Sequence, residues 1–76
     1  MPTFESAWAK LSQECHEELE MYKTIYKTAS EQNDDECSYG CRREVRTFLN
    51  ALRYQGVITC GERRVIMDYI LGKDGE

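Results

Sequence analysis

The 76-residue sequence has few residues that break helices or mark disorder, since it contains one proline and five glycines. Its longest apolar run is three residues, too short for a membrane-spanning helix. The N-terminus lacks a charged-then-apolar leader and any lipidation motif. We therefore expect a folded cytoplasmic (intracellular) protein without a membrane partner. At this length it is at most one domain, predicted over 1–76.

Histidine is also scarce, because His16 is the only one. It stands among acids and is predicted to be a solvated or paired surface residue. Acid–base catalysis would then depend on carboxylates, and these lie on a predicted helix face without an apolar pocket to raise a pKa. The sequence therefore predicts a protein that is not an enzyme and needs no cofactor.

The four cysteines are about 5% of the chain, below the density of a secreted disulfide scaffold. Free thiols that pack as small apolar groups are expected, and no metal site. A zinc staple stays open as an alternative, with Cys37, Cys41, Cys60 and either Cys15 or His16 as ligands. A disulfide that involves Cys37 also stays open. Cys60 lacks the neighbouring base that a catalytic thiolate needs.

Apolar and semi-apolar residues recur along the first half at steps of 4, 3, 4, 4, 3, 4 and 3 residues. The mean step is about 3.6, the period of an α-helix. No glycine or proline interrupts the pattern, so one long helix is predicted over about 3–31. The residues of this apolar stripe are Phe4, Trp8, Leu11, Cys15, Leu19, Tyr22, Tyr26 and Ala29.

A polar segment over 30–36 predicts a turn, and a second helix is expected over about 38–55. Asp35 or Ser38 would cap its start. Gly56 would end it in the left-handed conformation, followed by an apolar residue, as in a Schellman motif.

Thr59 and Glu62 match a capping box, which predicts a third helix over about 60–71. Only about three residues join the second and third helices, so these form a tight corner. A frayed tail is expected over 72–76. The predicted fold is all-α: one long N-terminal helix packed on a two-helix corner, as a three-helix bundle. The long stripe exceeds what two short helices cover, so a homodimer through helix 1 or a partner protein over it is expected.

Charge is divided unevenly along the chain, although the net charge is only −4. Residues 1–36 contain nine acids and three lysines, whereas residues 37–76 contain five acids, six arginines and one lysine. The halves therefore carry about −6 and +2. A chain of this kind is expected to present two surfaces of opposite sign.

The acids of the first half form two groups that are predicted to bind a basic partner surface. One lies within helix 1, and Glu14 and Glu18 repel each other there at a spacing of four residues. A solvated helix face is the competing interpretation. The predicted residues are Glu14, Glu17 and Glu18, followed by Glu31, Asp34, Asp35 and Glu36.

The arginines form the alternative contact surface: Arg42, Arg43, Arg46 and Arg53 on helix 2, next to Arg63 and Arg64 on helix 3. The tight helical corner suggests a DNA-binding motif. However, the small residue expected four before the turn glycine is Leu52, and the apolar residue six after it is Glu62. With a pI near 5.0, direct nucleic-acid binding is the weaker expectation.

These observations favour a small non-enzymatic interaction protein that binds, and inhibits, a larger protein or nucleoprotein with a basic surface. Small acidic single-domain proteins of this kind are common among virus-encoded inhibitors of host defence, such as anti-CRISPR proteins. The alternatives are a nucleic-acid-binding regulator that uses the arginines and a zinc-stapled helical domain.

Overall fold

The computed structural model describes residues 2–72, and the predicted all-α class is confirmed. Four helices follow one another: α1 (Phe4–Ala9), α2 (Gln13–Glu31), α3 (Asp35–Tyr54) and α4 (Cys60–Leu71). The described residues contain no β-strand. Most of the predicted tail, residues 73–76, lies outside the described part of the chain.

The predicted single helix over 3–31 is wrong, because the chain turns at residues 10–12 and forms two helices. Ser12 adopts an extended backbone (φ −72°, ψ 165°), and its side chain accepts a hydrogen bond from the backbone N–H of Cys15. Serine is a favoured N-cap, so it can start a helix in the middle of an apolar stripe. The turn directs α1 onto α4 and buries Ala7 and Leu11.

Replacing the Ser12 cap with alanine is expected to destabilise the protein by about 1 kcal/mol. In a continuous helix the same change would be stabilising, since alanine is the better helix former. Urea denaturation, followed by circular dichroism, measures whether the free energy of unfolding falls or rises. Ser30→Ala, at an exposed position inside α2, is the matched control and should change stability by no more than about 0.5 kcal/mol. Equal effects of the two variants would argue against the turn.

Helices α2 and α3 are joined by a Schellman turn that the sequence did not predict. Asn33 takes the left-handed conformation (φ 55°), and the N–H of Asp34 donates to the Ala29 carbonyl at 2.8 Å. The Asp34 side chain then accepts from the N–H of Cys37 at 3.0 Å and caps α3. Helix α3 therefore begins at Asp35, three residues before the predicted start.

The connection between α3 and α4 follows the local sequence pattern. Gly56 has φ 78°, and the N–H of Val57 donates to the Leu52 carbonyl at 3.0 Å, which is the Schellman arrangement. Thr59 and Glu62 form the reciprocal capping box at the start of α4. This short connection packs α4 against both α1 and α2.

All four helices contribute to one core. Its fully buried large side chains are Leu19, Val45, Leu49 and Ile66. The N-terminal apolar stripe was expected to be longer than two short helices can cover, but it packs within this core. Leu11 and Leu19 are buried, and the partly buried stripe residues that contact the cluster are Trp8, Cys15, Tyr22 and Tyr26. The reason for expecting a dimer through helix 1 therefore disappears. The cause is the turn at Ser12, which divides the predicted N-terminal helix into α1 and α2 and so adds a fourth helix.

An ion pair fixes the α1–α2 corner to α4. The Lys10 ammonium lies 2.7 Å from a carboxylate oxygen of Glu62, whose side chain is only 8% exposed. Hydrogen bonds from Lys10 and from the Thr59 backbone lower the pKa of Glu62. Because the folded-state pKa lies below the unfolded value, this arrangement stabilises the fold at neutral pH, and its contribution is lost as the pH falls through the folded-state pKa.

An aromatic corner, defined as Phe4, Trp8, His16 and Tyr69, packs the ends of α1 and α4 on α2. Trp8 and His16 stack at 4.5 Å between ring centroids and 4° between planes, and Tyr69 lies 4.2 Å from Phe4. His16 Nε2 donates to the Trp8 carbonyl at 2.7 Å, since a carbonyl can only accept. His16 was predicted to be solvated or paired; it is half-buried and paired, and its contacts are structural.

Candidate functional site

The acidic face, defined as Glu14, Glu17 and Glu18, is exposed on α2. Because α2 begins at Gln13, Glu14 lies in its first turn, where the helix dipole favours a negative charge. The repulsion expected between Glu14 and Glu18 is offset there. Glu18 stands four residues before Tyr22 on α2, and its charge adds to the burial and the Glu44 charge that raise the pKa of Tyr22.

The second predicted acidic group surrounds the turn between α2 and α3. Glu31 is the last residue of α2, Asp34 caps α3, and Asp35 and Glu36 occupy the first turn of α3. All four are exposed. The acids of α3 have a local structural explanation, because carboxylates at a helix N-terminus stabilise it by about 0.3–1 kcal/mol each. Their partner-binding role stays a prediction.

Next to the acidic face, a surface groove of about 320 Å³ runs between α2 and α3. We name it the α2–α3 groove; its lining is mostly apolar and consists of Tyr22, Ile25, Cys37, Gly40, Cys41 and Glu44. Met21 and Ile25 are 46% and 39% exposed beside it. Glu14, Glu18, Met21 and Ile25 follow steps of 4, 3 and 4 residues, so they share one face of α2. On the α2 side, the apolar surface beside the groove therefore continues into the carboxylates of Glu18 and Glu14, and Glu44 is the acidic residue of the lining itself.

The polar groups of the groove are fixed by α2–α3 contacts. The Tyr22 hydroxyl donates to Glu44 Oε2 at 3.5 Å, and the Cys41 thiol donates to the Tyr22 carbonyl at 3.3 Å. Burial, followed by the charges of Glu44 and Glu18, raises the pKa of Tyr22. Burial also raises the pKa of Cys41, and Cys37 and Glu44 add to the shift. A negative local potential of this kind attracts a cationic group.

The predicted arginine set of α3 is separated along the helix. Arg42 lies near the α2–α3 turn with Tyr26, Asn33 and Asp35, and Arg43 lies 6.0 Å from the ring of Tyr39. Arg46 and Arg53 lie further along, towards α4. Arg42, Arg46 and Arg53 are spaced 4 and 7 residues apart and so share one face of α3, whereas Arg43 lies on a different face.

A larger cleft of about 540 Å³ lies between α3 and α4. We name it the arginine cleft; its lining residues are Arg46, Cys60, Gly61, Arg63, Arg64, Met67 and Asp68. Arg53 donates to the Cys60 sulfur at 3.0 Å, a hydrogen bond that raises the pKa of Arg53. Two buried atoms of the lining, Arg63 Nε and Asp68 Oδ1, have no hydrogen-bond partner among the described residues. Buried polar groups usually have one.

The cysteines occupy different places: Cys15 packs on the core, Cys37 and Cys41 line the groove, and Cys60 lies exposed at the start of α4. All four are free thiols. Within residues 2–72, no group of three or more His, Cys, Asp or Glu side chains is arranged to hold a metal ion. The zinc alternative, with Cys15 or His16 as a further ligand, therefore has no assembled ligand set.

Sequence reasoning missed the α2–α3 groove. Its two walls come from residues 12 to 22 positions apart on different helices, which the sequence gives no means of pairing. One local signal was available: Gly40 lies inside the helix predicted over about 38–55, and glycine is disfavoured in a helix.

Comparison with protein-family models, curated proteins and solved structures finds no match to this chain. Among the helices of residues 2–72, none combines the length and apolar character that crossing a membrane requires.

Proposed function

We propose that this protein is a non-enzymatic interaction module that binds a larger protein or nucleoprotein by a basic surface of that partner. The observation that supports it best is the α2–α3 groove, with apolar lining and exposed Met21 and Ile25 next to Glu14 and Glu18. Protein interfaces combine an apolar centre with a polar rim, and complementary charge gives specificity and speeds association.

The inhibitory role expected from the sequence stays a prediction. A module of this size would inhibit by covering a surface that its partner needs. The two larger extents of the chain, 34 and 24 Å, are sufficient for a standard-sized interface of about 800 Å² per partner.

Reversal of one carboxylate tests the proposal in affinity capture from the source organism. Glu18→Lys is expected to weaken capture of the partner at least about tenfold, because it places a cation beside a cationic surface. Glu5→Lys is the matched control: it changes the net charge equally at another exposed position, on α1, and should preserve capture. Equal capture by wild type and both variants would show that the acidic face is only a solvated surface.

The arginine cleft supports a second candidate, a regulator that binds nucleic acid. Arg46, Arg63 and Arg64 converge on one cleft, with Arg53 adjacent through Cys60. Phosphate contacts by arginine weaken steeply with salt, so binding to duplex DNA and RNA should be compared at two salt concentrations. Arg46→Glu should weaken it. Absence of binding at low salt would remove this candidate.

A further inference from the structure

Gly40 lies in the middle of α3, a 20-residue helix, where only proline would be less favourable. A Cβ atom built at Gly40 would meet no atom within 4 Å, so no contact inside the chain requires a glycine there. Its backbone also lies outside the positive-φ region in which glycine is needed. The fold alone therefore gives no reason for this residue.

The position of Gly40 on the surface supplies a reason. It lines the α2–α3 groove and also a second depression of about 350 Å³ with Arg43, Glu44 and Thr47. The missing side chain therefore leaves a notch in the wall between the two depressions. A glycine at a helix surface lets another helix approach more closely than any side chain would allow.

We propose that the α2–α3 groove receives a basic amphipathic helix of a partner protein, which crosses α3 at Gly40. Apolar residues of that helix would contact Ile25 and Met21, and its lysines or arginines would lie beside Glu18 and Glu44. The inference rests on the proposed function and specifies the partner segment. An amphipathic helix in an apolar groove is a recurring mode of recognition.

Charge and length favour this occupant over an extended chain. The carboxylates lie at the end of the groove that is remote from the α2–α3 turn, and the apolar residues lie nearer the turn, so the potential changes along the helix axes. Glu14 to Ile25 span about 16 Å of α2 at ~1.5 Å per residue, and a helix of about two heptads presents one face along such a distance. An extended segment would alternate its side chains and turn half of them away.

A synthetic Leu/Lys peptide with an amphipathic helical pattern over about two heptads tests the inference. Fluorescence anisotropy should show binding to wild-type protein and at least about tenfold weaker binding to Gly40→Leu and to Glu18→Lys. Gly40→Leu should keep or raise the melting temperature, since leucine favours helix, so weaker binding would not reflect unfolding. Tyr39→Leu, on another face of α3, is the control and should bind as wild type does.

Two exposed thiols in the same chain report where the peptide binds. Cys37 lines the groove and Cys60 lines the arginine cleft. The Leu/Lys peptide should slow alkylation of Cys37 and leave Cys60 unchanged. A Leu/Glu peptide, and a Leu/Lys peptide whose helix is broken by central prolines, should slow alkylation of neither thiol.

Different results would contradict the basic partner surface and the helix that crosses α3 at Gly40. Loss of binding by Glu18→Lys with full binding by Gly40→Leu would overturn the helix at Gly40 and leave the basic partner. Absence of binding to wild type, or binding by both variants as tight as that of wild type, would overturn the groove as the site. Protection of Cys37 at rising protein concentration without peptide would show that a second copy of the chain occupies the groove, which also overturns the inference.

Discussion

Leu49→Ala is expected to lower the free energy of unfolding by about 2–5 kcal/mol. Leu49 is fully buried on α3 and belongs to the core cluster that all four helices share. Its truncation removes apolar contacts and leaves a cavity that the helices can close only partly. A domain of this length has a total stability of roughly 4–11 kcal/mol, so the variant is expected to lose a large fraction of it.

Urea denaturation, followed by far-ultraviolet circular dichroism, measures this loss as a lower midpoint at unchanged slope. Met21→Ala is the matched control, because it also truncates a large apolar side chain, but one that is 46% exposed. It should cost less than about 1 kcal/mol. A cost below 1 kcal/mol for Leu49→Ala would contradict the packing of α3 in the core.

Trp8→Ala is expected to destabilise the protein by about 3 kcal/mol, the lower end of the range for aromatic truncation, because Trp8 is only half-buried. Trp8 stacks on His16, lies 5.0 Å from Phe4 and meets the edge of Tyr69 at 5.5 Å. Truncation of Trp8 therefore removes three ring contacts at once. Trp8→Phe keeps an aromatic ring at the site and should recover part of the loss.

Hydrogen exchange adds a local measurement to the unfolding midpoint of Trp8→Ala. Amide protection in α1 should fall more than protection in α3, since α1 is a six-residue helix that depends on the corner for its stability. Tyr54→Ala, at an 81% exposed position, is the control and should leave both unchanged. The corner would have no structural role if Trp8→Ala behaved like Tyr54→Ala.

Local patterns predicted the features of the fold that depend on neighbouring residues. Gly56 followed by Val57 specifies the end of α3, and Thr59 with Glu62 specifies the start of α4, because each motif satisfies its hydrogen bonds within a few residues. A capping signal of the same local kind was present at Ser12. There the uninterrupted apolar period outweighed the cap, and two helices were predicted as one.

Contacts between distant residues could not be predicted in this way. Lys10 pairs with Glu62 across 52 positions, and the Tyr69 hydroxyl donates to Glu20 across 49 positions. The hydrophobic period and the helix propensities of the residues predict which face of a helix is buried, but they do not predict which other helix packs on that face. The candidate site shows the same division, since Glu14 and Glu18 were predicted as contacts while the groove beside them was not.

The sequence by itself determined the helical class, the unequal distribution of charge and the caps of α4, since each depends on composition or on residues a few positions apart. Tertiary structure alone decided that the N-terminal stripe is covered by the chain itself, that Arg46, Arg63 and Arg64 line one cleft, and that an apolar groove lies open beside the acidic face. The physical reason is that the turn at Ser12 brings α1 back onto α4. The burial of that stripe leaves the neighbouring face of α2, with Met21 and Ile25, exposed beside Gly40 of α3.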